Sequence, residues 1–281
     1  MLYRNFATES EINDQYDPGV ISDRVAAIER FDRLSEAASR EIPDWYSHRF
    51  GSSDAEYVDI FPSGEANAPV HIFIHGGYWR ALSARQFAFI AQELVKNGVT
   101  VVLTNHELCP QVRIGDIVSQ TRDAVTWVAN NASKLNIDPS RMSISGHSAG
   151  GHLVAMMLAT DWSSYGLHQD LFVGAISLSG LFDLRPFPHS WLQPSLNLTK
   201  DEVIENSPIF LPVSTRASVL LRYGGLEQSE FARQSQAYAE HLTASHVFVD
   251  CRAIERADHF TVLDPFFLGE LEFVNDILSF G

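Results

Sequence analysis

Apolar positions along this chain alternate between two periods. Short β-branched or alternating runs fall at 56–61, 70–75, 99–103, 141–145, 171–178, 217–223 and 247–251, and they predict strands. Helical spacing fills the gaps. Phe87, Ile90, Leu94 and Val95 predict a helix over 83–97 that Gly98 ends. Further helices are predicted at 116–131, with an acid in the first turn, at 152–160, which is apolar all round, at 230–242, and at 264–279 as a closing amphipathic helix. Strand and helix in alternation predict an α/β fold, with a mostly parallel central sheet and helices on both faces.

Two stretches stand apart from this rhythm. Residues 1–50 are polar, with weak helical periodicity around Val25, Ala26, Ala27, Ile28 and Phe31. They read as an N-terminal arm packed on a single domain spanning 1–281. Residues 181–212 carry Pro186, Pro188, Pro194, Pro208 and Pro212 together with Phe182, Phe187 and Trp191. Insertions of this length in compact domains are commonly functional, so 181–212 reads as a lid segment beside a site. No internal repeat or low-complexity tract is evident.

Composition narrows the partners. The 281 residues carry a formal net charge of -15. Such a chain should repel nucleic acid and anionic membrane surfaces. The first ten residues hold no apolar signal-peptide core, and no uninterrupted apolar run approaches the length of a membrane span. Cys109 and Cys251 lie by predicted strands and read as buried thiols rather than a disulfide framework. A cytoplasmic location is the expectation.

The candidate chemistry sits where the strand at 141–145 meets the helix at 152–160. Gly146-His147-Ser148-Ala149-Gly150 is a G-x-S-x-G sequence between them. A serine hydroxyl is a weak nucleophile at neutral pH and must be presented sharply beside a base, which a tight strand–turn–helix junction does. Ser148 is therefore the candidate nucleophile. His75-Gly76-Gly77-Tyr78-Trp79 follows the apolar strand at 70–75. Glycines let backbone N–H groups converge on one oxygen, so Gly76 or Gly77, with Ala149 at a helix N-terminus, are the candidate oxyanion donors.

The base is expected late in the chain, after the last strand. Among 11 histidines, His259 in Asp258-His259-Phe260 has that position. The orienting acid is expected after the strand at 217–223. Glu227 holds the loop position and is favoured; Glu230 reads as a helix-starting acid, and Asp250 and Asp258 are rivals. The spacing of His147 and His152 matches no zinc pattern, so no metal site is expected, and the chemistry requires no organic cofactor.

These motifs resemble a known family. His75-Gly76-Gly77-Tyr78-Trp79 is similar to the H-G-G-Y-W box of the arylformamidases (kynurenine formamidases), a branch of the α/β-hydrolases. The segment from Asn105 to Pro110 resembles that family's tyrosine-x-leucine-cysteine-proline stretch, with His106 where the tyrosine usually stands. The elbow, the Ser179-Gly180-Leu181-Phe182-Asp183-Leu184 segment, the Glu230-Phe231 and Gln234-Ser235 pairs, and Asp258-His259-Phe260 match in order, and Tyr16-Asp17-Pro18 is a weaker echo. Glu227 replaces the usual aspartate of the acid loop.

The resemblance implies an α/β-hydrolase fold and a serine hydrolase acting on N-formyl-L-kynurenine, a small aromatic acyl substrate, with release of formate and kynurenine. Tyr78, Trp79, Phe182 and Trp191 are the expected pocket aromatics. A carboxylesterase or thioesterase for another small acyl group is the alternative, and a non-catalytic binding protein on the same scaffold a remote one. A homodimer stays open as a state of association.

Overall fold

The alternating apolar segments pair into one eight-stranded sheet in the computed structural model, which describes residues 1–213 and 215–280. The strands are β1 (Tyr46–Arg49), β2 (Tyr57–Phe61), β3 (Ala68–Ile74), β4 (Thr100–Thr104), β5 (Ile137–His147), β6 (Gly174–Leu178), β7 (Ser218–Gly224) and β8 (Val249–Ile254). Their order is β1-β2-β4-β3-β5-β6-β7-β8. β1 and β2 run antiparallel, and β2 is antiparallel to β4. From β4 to β8 every pairing is parallel. The central parallel strands β3, β4 and β6 are near-continuous buried runs because helices cover both their faces. β3 pairs β5 with Ile74 opposite Gly146, which brings the glycine box after β3 next to the elbow after β5.

The helices are α1 (Glu9–Tyr16), α2 (Arg24–Glu41), α3 (Ala91–Lys96), α4 (Ile114–Asn130), α5 (Ala132–Leu135), α6 (Ala149–Leu158), α7 (Gln193–Leu196), α8 (Lys200–Glu205), α9 (Ser229–Ala244) and α10 (Glu272–Ser279). They divide the core into two clusters. One gathers residues of α1, α4, α6 and α9, including Tyr16, Val125, Leu153 and Phe231. The other gathers residues of α2, α3 and α10, including Phe31, Leu94 and Ile277. Since α1 joins one cluster and α2 the other, residues 17–23 cross from one face of the sheet to the other.

Two helix expectations are revised, and two further segments take defined form. The weak helical periodicity of the arm is well-formed helix: Thr8 and Glu11 form a capping box on α1, and Asp23 caps α2. The predicted helix over 83–97 is a 3-10 segment, Ala84–Ile90, followed by α3, with Phe87 outside helical angles. Most of its side chains are buried on several sides, so packing against Phe31 and Phe73 overrides local periodicity. The closing helix over 264–279 is split into a 3-10 segment, Thr261–Phe266, and α10, because Gly269 and Leu271 between them adopt left-handed backbone. The segment 181–212 folds into α7, α8 and 3-10 turns, and Phe182, Leu184, Phe187 and Leu196 are buried in the main core. Among the described residues, no helix is long and apolar enough to cross a membrane.

Candidate active site

β5 ends at His147 and α6 begins at Ala149, so Ser148 alone makes the turn. Its backbone sits at φ 57°, ψ -118°, a conformation that costs a non-glycine residue on the order of 1–3 kcal/mol. The N–H of Ser148 donates to the carbonyl of Leu178 at 2.7 Å, which ties the turn to the end of β6. Close approach makes the elbow glycines necessary. A Cβ on Gly150 would lie 2.1 Å from the carbonyl oxygen of Ile74, so any side chain there would push α6 off the sheet.

Ser148, His259 and Glu227 form one hydrogen-bonded line. Ser148 Oγ lies 3.0 Å from His259 Nε2, and His259 Nδ1 lies 2.5 Å from Glu227 Oε1. The consistent assignment has the hydroxyl donating to Nε2 and Nδ1–H donating to the carboxylate. The second carboxylate oxygen, Oε2, accepts from the Ser179 hydroxyl at 2.7 Å and from the Gly224 N–H at 2.5 Å. Glu227 thus has a fixed orientation, and its side chain is only 1% exposed.

The rival acids are engaged elsewhere. Asp250 pairs with Arg222 at 2.7 Å. Asp258 accepts from Ser22 and from the backbone of Phe260 and Thr261. Glu230 accepts from the Tyr16 hydroxyl at 2.7 Å and pairs with Arg233.

The glycine box lies on the other side of Ser148. A Cβ on Gly76 would be 3.2 Å from the Ser148 Cβ, so this backbone packs directly against the serine. Gly77 has φ 113°, and its carbonyl accepts the N–H groups of Arg80 and Ala81 in a tight turn. The fold therefore brings Gly76, Gly77 and Ala149 around Ser148. Behind them the rings of His75 and His106 stack at 4.4 Å. Burial pushes His75 down to about 3, helped by the neighbouring imidazole, and pushes His106 down to about 4. His147 is held well below its ordinary value by burial and by the nearby His259 ring, so it is neutral and donates Nε2–H to the His259 carbonyl at 2.7 Å.

A cavity of roughly 730 Å³, counting its open mouth, has Ser148 and His259 in its wall. Two of the four expected aromatics, Tyr78 and Trp191, line it. The other two do not, and the expectation is corrected. Trp79 is buried, donates its indole N–H to His152 Nδ1 at 3.2 Å and packs edge-on against Phe187. Phe182 is buried in a parallel stack with Tyr238 at 4.3 Å. Both fill core, as most large aromatics do.

The N-terminal arm supplies what sequence reasoning missed. Pro18, Arg24, Ile28 and Phe31 form the wall across from the elbow. The capping acid Asp23 signals a helix start, but nothing local in the sequence signals that this helix faces Ser148. Among the described residues, no three His, Cys, Asp or Glu side chains group as metal ligands would.

The profile of the prolyl oligopeptidase family matches residues 118–262, just over half of the chain, from α4 through the elbow to the base. The chain belongs to the prolyl oligopeptidase family. A second profile, BD-FAE, matches residues 58–173 of this hydrolase. Its homologues include kynurenine formamidases: that of Danio rerio is 28% identical across 92% of this chain and 91% of its own length. The Drosophila melanogaster one is 24% identical across 91% and 87%. Among solved structures, a candidate thioesterase from Silicibacter sp. TM1040 superposes with a TM-score of 0.83 at 27% identity, covering 96% of this chain and 99% of the other. An esterase of Pyrobaculum calidifontis superposes at 0.71 with 19% identity over 94% and 92%, a likeness of fold. The hydrolase has the α/β-hydrolase fold.

Proposed function

We propose that the protein hydrolyses N-formyl-L-kynurenine, or a closely related aryl formamide, through a formyl ester on Ser148. The observation that carries this reading is the unbroken line Ser148–His259–Glu227 opening on a cavity lined by Tyr78 and Trp191. It joins the kinship with kynurenine formamidases over nearly the whole of both chains.

In this mechanism Ser148 Oγ attacks the formyl carbon while His259 Nε2 takes the hydroxyl proton. Glu227 holds the Nδ1–H tautomer and stabilises the imidazolium. The oxyanion is met by the N–H groups of Ala149 and of Gly76 or Gly77. Each such donor contributes roughly 3–4 kcal/mol to the barrier reduction in comparable enzymes. The imidazolium then protonates the aryl nitrogen as the C–N bond breaks, and the aryl amine leaves. His259 next deprotonates a water, which attacks the formyl ester. Formate departs as His259 returns the proton to Ser148 Oγ.

One observation favours a second reading. The candidate thioesterase shares 27% identity and almost the full length of this chain, so a small-acyl ester or thioester remains the competing substrate class. The test is kcat/KM for N-formyl-L-kynurenine beside p-nitrophenyl acetate and an acetyl thioester. Higher efficiency on the formamide supports the formamidase reading. Ester or thioester turnover with an inert formamide keeps the serine chemistry and moves the substrate.

A further inference from the structure

We propose that the mouth of the cavity is an anion subsite. In it Arg80, with Arg24, takes a carboxylate carried on the leaving-group side of the substrate. The proposal rests on the reading above that Ser148 transfers an acyl group from an aromatic substrate.

The chain as a whole carries a formal charge of -15, yet the cavity wall shows the opposite sign. Its charged lining residues are Arg24 and Arg80, and no Asp or Glu lines it. Arg24 pairs with Asp17, which offsets its charge. Arg80 is exposed and has no carboxylate partner among the described residues. An unpaired guanidinium at the mouth of a cavity with no lining carboxylate is a ready fork for a carboxylate.

Both guanidiniums are gathered on one aromatic shelf. Arg80 lies 5.4 Å and Arg24 5.9 Å from the Trp191 ring centroid. The shelf is itself fixed, because the Trp191 N–H donates to Asn13 Oδ1 at 2.9 Å and its ring meets Tyr78 edge-on. The Trp191 indole N–H is itself buried with no acceptor. Arg80 also belongs to the turn that begins at Gly77, its N–H bonded to the Gly77 carbonyl at 3.1 Å. The group that would read the tail is therefore built on the same loop as Gly76 and Gly77. Distance between the scissile carbonyl and the carboxylate would be measured by one short piece of backbone. The substrate class this describes is an acylated aryl amine or phenol with an anionic tail.

Two substrate pairs test it. The first is 4-(2-formamidophenyl)-4-oxobutanoate and its primary amide. The second is 3-(4-acetoxyphenyl)propanoate and its primary amide. The expected result is that the wild-type enzyme prefers the carboxylate of a pair in kcat/KM. Arg80→Gln should reduce that preference about tenfold through KM, the scale of one charge-assisted hydrogen bond at a solvated site. Arg80→Lys should restore part of it, and salt should erode it in the wild type. A wild type without the preference, or a preference that Arg80→Gln leaves intact, overturns the subsite. The two readings fail separately. Inert formamides with a charge preference among the acetates sink the formamidase reading and keep the subsite. Formamide turnover without a preference does the reverse, and turnover of neither pair sinks both.

Discussion

Ser148 stands on a junction made by neighbours in the chain, while the wall facing it comes from Pro18, Arg24, Ile28 and Phe31, far away in sequence. The elbow is held by backbone. Its serine N–H is bonded to Leu178, and its glycine sits where a Cβ would strike the Ile74 carbonyl. The arm is held by side chains reaching across the fold. Tyr16 donates to Glu230, Gln228 to the Asp17 carbonyl, and Ser22 to Asp258, while Arg30 pairs with Asp264. Phe31 packs on Phe87 and Phe89. These anchors lie beside the acid and the base, since Gln228 follows Glu227 and Asp258 precedes His259. Chemistry thus rests on rigid local geometry, and the shape of the cavity rests on long-range contacts that also steady the catalytic loops.

The comparison can be broken most sharply at the elbow. Ser148→Ala should lower kcat by about four to six orders of magnitude while leaving the circular dichroism spectrum unchanged, since the residue acts as a unit with its base. A variant that keeps a large share of its turnover would overturn the nucleophile. Next in size, Glu227→Gln should lower kcat by roughly two to four orders of magnitude with little change in KM, because the carboxylate orients His259 and does not bind substrate. Asp250→Asn should stay within a few-fold of wild type; the opposite ranking would transfer the acid role.

The arm wall should respond differently. Phe31→Ala empties a fully buried aromatic site and should cost about 3–5 kcal/mol in urea unfolding. It should also raise KM for the formamide more than it lowers kcat. A fall confined to kcat would mean that the arm shapes the catalytic line rather than the cavity.

The smallest effect concerns pH. Burial pushes His75 to about 3 and His106 to about 4, below the unfolded value of about 6.5. The unfolded chain therefore binds these protons first. The stability is complete above about pH 6.5 and drains as pH falls toward the folded values. Each group contributes a slope of up to about 1.4 kcal/mol per pH unit in that window. His106→Gln should flatten the difference between urea midpoints at pH 7.5 and pH 5; an unchanged difference would show that another group carries it.

Legibility followed the same divide. The glycine box, the elbow, the late histidine and the acid loop could be named because each is a short run whose backbone demands are local. Glu227 was harder than Ser148 because loop carboxylates look alike until their partners are known. Loop position favoured Glu227, and in the fold Asp250 and Asp258 are taken up by Arg222 and Ser22. Trp79 and Phe182 were misplaced for a related reason. A large aromatic beside a motif can face the cavity or the core, and only the packing of His152, Phe187 and Tyr238 decides which.

The amino-acid sequence by itself determined the alternation of strands and helices, the glycine-flanked turn that carries Ser148, and the chain order of Ser148, Glu227 and His259. Periodicity, glycine sterics and capping act over a few residues, so a single chain read in order reveals them. Tertiary structure alone decided how Glu227 is held against His259, which aromatics line the cavity, and that the N-terminal arm forms part of its wall. Those outcomes depend on side chains brought together from distant parts of the chain, and the energy that selects them exists only once the two core clusters have formed.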